Sequence, residues 1–245
     1  MNDFTKVALV TGSTGGIGQA VAKKMAREGY IVFAHYSNSE DKAVKLVNEI
    51  VESGGKALSV HADVTNALSV SNMFDQVRSV NGELNVVVHS AGIMPLARIE
   101  PANVDDFKRC IDTNLIGTFL VLSNAALNVS KGGRIIAFSS SVIAKNFVTY
   151  GPYIASKQGV EGLIRVLANE LKGKDITVNG IAPGPTGTEL FYKGKSDELI
   201  EWFKNQTPMN RIGTPEDIAN GVFAMAGDLG GWINGQIIRV NGGFA

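Results

Sequence analysis

The chain has 245 residues, 44% hydrophobic and 19% charged, which excludes the disordered and collagen-like classes and leaves room for a sizeable core. Lysine plus arginine balances aspartate plus glutamate at 23 each, with the basic residues scattered, so neither a nucleic-acid surface nor an anionic membrane surface gains support. Cys110 is the only cysteine, which rules out an intrachain disulfide and reads as a small buried hydrophobe in a reducing compartment.

The start, MNDFTKVALVTG, lacks the charged and long apolar regions of a leader, so a cytoplasmic location is expected. Short β-branched runs then recur at 6–10, 30–36, 56–63, 84–92, 133–140, 176–183 and 236–243. Several are apolar at consecutive positions, the pattern of strands buried on both faces of a parallel sheet. They are far shorter than the roughly 20 residues of a membrane span, and none is expected. Helical stretches lie between them at about 17–28, 39–53, 67–80, 103–128, 153–172 and 215–227, each long enough for a right-handed crossover. This alternation predicts an α/β, doubly wound Rossmann-type parallel sheet of about seven strands with helices on both faces, built as one domain over 1–245. The segment 184–214 interrupts the alternation with Pro, Gly and a short amphipathic piece at the carboxyl end of a strand, and reads as a substrate lid. No metal site is expected.

After the first strand comes TGSTGGIG, residues 11–18. Glycines at 12, 16 and 18 allow a sharp turn, close approach to a pyrophosphate and packing of the helix on the strand, while the helix N-terminus offers free N–H groups to the anion. Further along stand Asp63-Val64, HSAG at 89–92, Asn114 in DTNLIGTF, Ser140, Tyr153 with Lys157, and PGPTGT at 183–188. In this order, over nearly the whole chain, the motifs resemble the short-chain dehydrogenase/reductase family, and most closely its 3-oxoacyl-acyl-carrier-protein reductases and broad-specificity carbonyl reductases.

The resemblance implies a dinucleotide site formed by Gly12, Ser13, Thr14, Gly16, Ile17, Gly18, Tyr36, Ser37, Asn38, Asp63, Val64, Ser90, Ala91, Gly92, Tyr153, Lys157, Pro183, Gly184, Thr186 and Thr188. An NAD site normally has a carboxylate at the end of the second strand, but FAHYSNS at 33–39 contains no acid. Ser37, Asn38 and His35 could instead hydrogen-bond a 2′-phosphate, so NADP(H) is expected and NAD is the alternative. His89 replaces the family's first asparagine and is expected to be a strand-end histidine satisfied by backbone groups.

The stretch TYGPYIASK contains two tyrosines, but only Tyr153 has a lysine at i+4 on the same helical face; Tyr150 has Ile154. A phenol of ordinary pKa near 10 gives up its proton reluctantly near neutrality. A cation about 5 Å away would favour phenolate by on the order of 3 kcal/mol, or roughly two pKa units. The family spacing selects Ser140 to orient a carbonyl, while Ser139 and Ser141 read as loop solvation or caps. It also implies that Lys157 holds the nicotinamide ribose, and that Asn114 holds a water connecting Lys157 to solvent.

The expected activity is therefore reduction of a ketone, a 3-oxoacyl thioester or similar carbonyl, to a secondary alcohol. Alternatives are a sugar, polyol or steroid dehydrogenase, or a non-catalytic dinucleotide sensor. Lys131 and Lys174 occupy places where the family's carrier-protein reductases bear arginines, and the resemblance implies a homotetramer or homodimer packed through the helix carrying Gly159 and Gly162.

Overall fold

A computed structural model describes residues 6–80 and 82–245. The strands are β1 (Lys6–Thr11), β2 (Ile31–Tyr36), β3 (Lys56–His61), β4 (Glu83–His89), β5 (Arg134–Phe138), β6 (Thr177–Pro183) and β7 (Ile237–Val240). All pair in parallel in the order β3-β2-β1-β4-β5-β6-β7, so the winding direction reverses between β1 and β4. At such a reversal the loops leaving the strands diverge and open a crevice at the carboxyl edge of the sheet.

Helices α1 (Gly16–Arg27), α2 (Glu40–Glu52) and α9 (Pro215–Ala226) cover one face, and α3 (Ala67–Arg78), α5 (Gly117–Asn128) and α6 (Gly151–Glu170) cover the other. Successive side chains of a strand enter opposite cores: Val7 and Leu9 meet the α3–α5–α6 layer, Ala8 and Val10 the α1–α2–α9 layer. Burial on both faces explains the continuous apolar runs. A β-bulge in β4 opposite Val7 and Ala8 adds Asn85, whose Oδ1 accepts the Val7 N–H at 3.1 Å. The extra residue shifts the alternation so that Leu84 and Val87 face the same layer, which turns His89 toward α6.

The helix expected at 103–128 is divided. Helix α4 (Val104–Ile111) passes through one π turn, Asp112–Ile116, before α5 resumes, and the Gly117 N–H reaches back five residues to the Asp112 carbonyl. The run Pro101–Asn128 also corrects the expectation that every apolar stretch is short, since an 18-residue window of it averages a mean hydropathy of 1.3. Its apolarity has two destinations. Val121, Leu122 and Ala125 enter the core, whereas Ile116, Phe119 and Leu127 remain exposed.

The segment 184–214 contains α7 (Glu189–Tyr192) and α8 (Asp197–Asn205). Its base is pinned where the Gly187 N–H donates to the Gly213 carbonyl at 2.8 Å and the Gly213 N–H to the Pro185 carbonyl at 2.9 Å. Arg211 is bidentate to Asp217, which also closes the capping box of α9 with Thr214.

At Gly18 a Cβ would stand 2.2 Å from the Gly12 carbonyl oxygen, whereas at Gly162 it would meet nothing within 4 Å. Gly18→Ala is expected to cost roughly 1–3 kcal/mol, or about 2–12 °C of thermal midpoint, and Gly162→Ala to leave the midpoint level or slightly raised. Thermal melts of the two variants check this pair.

Candidate active site

The carboxyl edge carries a continuous crevice with two parts. One is a groove over the β1–α1 turn. Gly12 adopts φ +65°, where a side chain would be strained, and its Cβ would fall 2.7 Å from the Ala91 backbone. Helix α1 starts from Gly15 with no side-chain cap and no acid in its first turn, so its N-terminal N–H groups and dipole are available to an anion. Gly12, Thr14, Gly16, Ile17 and Gly18 line this groove, with Tyr36, Ser37 and Asn38 at the end of β2. Asp63, Val64, Ser90, Ala91, Gly92 and Thr188 complete the predicted set there.

Ser13 does not join them. Its buried Oγ donates to the His35 carbonyl at 2.9 Å, bracing the turn from behind. His35 is likewise no phosphate ligand: Nδ1 accepts the Gly12 N–H at 3.1 Å and Nε2 meets the Ala62 carbonyl at 3.0 Å. Burial holds its pKa down at about 4, so it is neutral and acts as a strut between β1, β2 and β3.

The second part is a cleft that adjoins the groove across Ser90, Gly92 and Thr188. Ser140, Tyr153, Lys157, Pro183, Gly184 and Thr186 line it. Helix α6 presents Tyr153 and Lys157 one turn apart, and the Lys157 ammonium, only 4% exposed, donates to the Phe138 carbonyl at the end of β5 at 2.8 Å. The same ammonium lies 5.8 Å from the centre of the Tyr153 ring. Burial lowers the Lys157 pKa to about 8. It pushes Tyr153 up to about 12, against a downward pull from the Ser140 hydrogen bond. Desolvation of the phenolate opposes the lowering expected from the lysine, and the ammonium is drawn toward a carbonyl. Ser140 lies two residues beyond β5 and caps the following short turn, its Oγ accepting from the Val142 N–H at 3.4 Å.

Asn114 is fully buried at the π turn. Its Oδ1 accepts the Ile93 N–H and its Nδ2 donates to the Ile93 carbonyl, both at 2.8 Å, with Ser156 Oγ 3.1 Å from Nδ2. The side chain thus fixes the loop after β4 against α6. A Cβ on Gly92, in that loop, would sit 3.1 Å from Asn114 Oδ1 and 3.6 Å from Lys157 Nζ. Cys110 is buried beside Asn114 and Ser156.

Two other expectations are corrected. Ser139 and Ser141 neither solvate a loop nor cap: Ser139 donates to Glu161 and Ser141 to the Ala182 carbonyl, each at 2.8 Å. His89 is satisfied by a side chain rather than the backbone, with Nδ1 2.8 Å from Thr11 Oγ1, and its buried Nε2 has no partner among the described residues. Burial, then the Lys157 charge, holds His89 neutral with a pKa of about 3. Lys131 and Lys174 lie in turns joined by a Gly132 to Asp175 backbone bond, before β5 and β6. They sit at the sheet edge opposite the cleft of the same chain.

Sequence reasoning also missed side chains of the cleft that come from irregular backbone. Phe147 lies in a loop where Asn146 and Thr149 have positive φ, and Phe244 follows β7. No periodicity marks either one.

A family model described as Enoyl-(Acyl carrier protein) reductase matches residues 12–245. A Picea abies protein named short-chain type dehydrogenase/reductase is 38% identical over 97% of this chain and 92% of its own length. The chain belongs to the short-chain dehydrogenase/reductase family. Another relative, the chloroplastic NADPH-dependent aldehyde reductase 2 of Arabidopsis thaliana, is 40% identical over 97% of this chain and 93% of its own. Among solved structures, a blue fluorescent protein from a metagenomic library, in complex with NADPH, matches the full length of both chains at 29% identity and a TM-score of 0.92. The short-chain dehydrogenase/reductase fold thus spans the chain, and the enzyme is an oxidoreductase.

The buried neutral His35 gives a pH test. Its folded pKa lies below the ordinary 6.5, so its contribution, on the order of 3 kcal/mol, is complete above about pH 6.5 and is lost as the pH falls toward 4. The thermal advantage of wild type over His35→Gln is expected to be largest at pH 7 and to shrink by pH 4.5. Parallel melts of the two proteins read this difference.

Proposed function

We propose that this chain is an NADPH-dependent reductase that converts a carbonyl to a secondary alcohol. The observation that carries the reading is the phenol of Tyr153, held protonated by burial and set beside a buried ammonium, with Ser140 lining the same cleft. That cleft opens directly on the uncapped helix N-terminus of the groove.

The groove residues fit a dinucleotide: Gly12 to Gly18 would receive the pyrophosphate, and Ser90 to Gly92 and Thr188 would flank the nicotinamide end. No carboxylate stands at Tyr36, Ser37 or Asn38, which leaves that end open to a 2′-phosphate, and the Arabidopsis relative is named NADPH-dependent. NADPH, when bound, supplies the hydride.

The protein's own residues do the rest. Ser140 directs the substrate carbonyl oxygen toward the phenol, and Tyr153 donates its proton to that oxygen. A phenol protonated throughout the neutral range is a donor rather than a base, which suits reduction. Lys157 places positive charge beneath the ring and fixes α6 on β5. Asn114 is a positioning residue that holds Ile93 and the floor of the groove. The exposed face of α4 to α6, with Leu127 82% exposed beside Phe119 and Val166, is the surface through which we propose that copies pair.

Tyr153→Phe is expected to leave less than a few per cent of turnover with nearly unchanged NADPH affinity, and wild type to favour NADPH over NADH by kcat/KM. Because Lys157 carries its charge only below about pH 8, kcat/KM for reduction is expected to be level up to there and to fall above it. Light scattering on the eluted protein should give the mass of two or four chains, and Phe119→Glu with Leu127→Glu should lower it.

A further inference from the structure

Beyond Ser140 and Tyr153 the cleft is walled by aromatic rings from three separate parts of the chain. Phe147 and Tyr150 come from the approach to α6, Phe191 and Phe203 from the segment 184–214, and Phe244 from the segment after β7. Phe147 packs edge-on to Tyr150 at 5.7 Å and to Phe203 at 6.0 Å. Phe203 continues the chain of contacts to Phe191 at 5.4 Å and to Phe244 at 6.1 Å. Trp202 supports Phe147 and Phe203 at 5.8 and 5.0 Å. Rings held against one another offer a large, stiff apolar surface at little further entropic cost on binding.

The charge distribution is as selective. Among the described residues, the only charged side chain lining the cleft is Lys157, which donates to the Phe138 carbonyl. Lys145 and Lys195 stack on Phe244 and Phe191, with Nζ 4.9 and 4.8 Å from the ring centres, and neither lines the cleft. A phosphate, carboxylate or coenzyme A thioester would find no free cation there and would forfeit its hydration.

Most hydroxyls of the cleft are already engaged. Ser90 donates to the Thr11 carbonyl, Ser139 to Glu161 and Thr186 to the Gly184 carbonyl, and Thr188 caps α7. Besides Ser140 and Tyr153, which the proposed reaction uses, and Thr188, which only accepts, Tyr150 has a hydroxyl left over. Its hydroxyl makes no hydrogen bond among the described residues, and burial raises its pKa, keeping the donor proton in place. It lies one helical turn before Tyr153.

We propose that this aromatic clamp selects neutral, planar aryl ketones that carry a second oxygen, with the Tyr150 hydroxyl hydrogen-bonding that second oxygen. This assignment rests on the carbonyl-reductase reading of the same site and names its substrate class. Five rings grip the aryl body. The carbonyl meets Ser140 and Tyr153, and Tyr150 sets the direction in which the remainder of the molecule extends.

The test combines kinetics with a binding measurement that needs no turnover. With NADPH, hydroxyacetylnaphthalene is expected to exceed octanone and acetoacetyl coenzyme A by at least about tenfold in kcat/KM, the scale of a few extra buried ring contacts. Tyr150→Phe should lower the ratio of kcat/KM for hydroxyacetylnaphthalene to that for acetylnaphthalene by about 3–10-fold, the scale of one neutral hydrogen bond, mainly through KM. Calorimetry on the NADP-loaded protein should show the same order of affinities, and the same change of ratio in Tyr150→Phe. Octanone or the thioester equal to the aryl ketones in both assays would overturn the clamp while leaving the reductase reading intact. Aryl binding in the calorimeter with no reduction of any carbonyl compound would overturn the reductase reading but not the clamp. An unchanged ratio in Tyr150→Phe would remove the role of that hydroxyl.

Discussion

An ammonium taken out of water needs acceptors for its N–H groups, and in this protein Lys157 donates a hydrogen bond to the last carbonyl of β5. Removing a cation from water costs several kcal/mol unless its donors are engaged, so this single bond fixes how far along β5 helix α6 can sit. The register of α6 then decides the position of Tyr153, one turn earlier, and of Glu161, one turn later, which takes the Ser139 hydroxyl. Asn114 secures the other side by clasping both backbone groups of Ile93. The π turn that carries it is a local expense of helix regularity at the floor of the cleft, where such turns frequently mark function.

Around this junction the architecture is that of an open parallel sheet. The reversal between β1 and β4 opens the groove, and the segment 184–214, pinned at Gly213 and by Arg211 to Asp217, extends the cleft outward. The two parts differ in chemistry. The groove is polar, glycine-rich and presents a helix N-terminus; the cleft is walled by aromatic rings with a few hydroxyls. A hydride donor and a less polar acceptor could thus be held side by side, with Ser90 and Gly92 common to both walls.

The sheet, its seven strands and the glycine turn were legible because two-faced burial forces consecutive apolar residues such as Val7 to Val10, and because a sharp turn before a helix forces glycine. What escaped the sequence was the direction in which polar side chains point. Ser13, His35, Ser139 and Ser141 are polar residues near a ligand groove, and spacing alone assigned them to phosphate, loop or cap. Each instead turns inward to satisfy a buried group of the carboxyl edge. The bulge at Asn85 that turns His89 toward α6 has no signature in the alternation it disrupts. The phenol's pKa was only partly legible for a related reason: the i to i+4 spacing gives proximity of charge, but the depth of burial that opposes it belongs to the fold.

The central claim is that Tyr153 stays protonated across the neutral range and so serves as the proton donor. The most direct measurement is a spectroscopic titration of phenolate absorbance in wild type, from which the titration of Tyr153→Phe is subtracted. The account predicts that the difference signal stays flat through neutrality and rises only above about pH 10, in keeping with a phenol pushed up to about 12. A difference signal with its midpoint near pH 7 would contradict it.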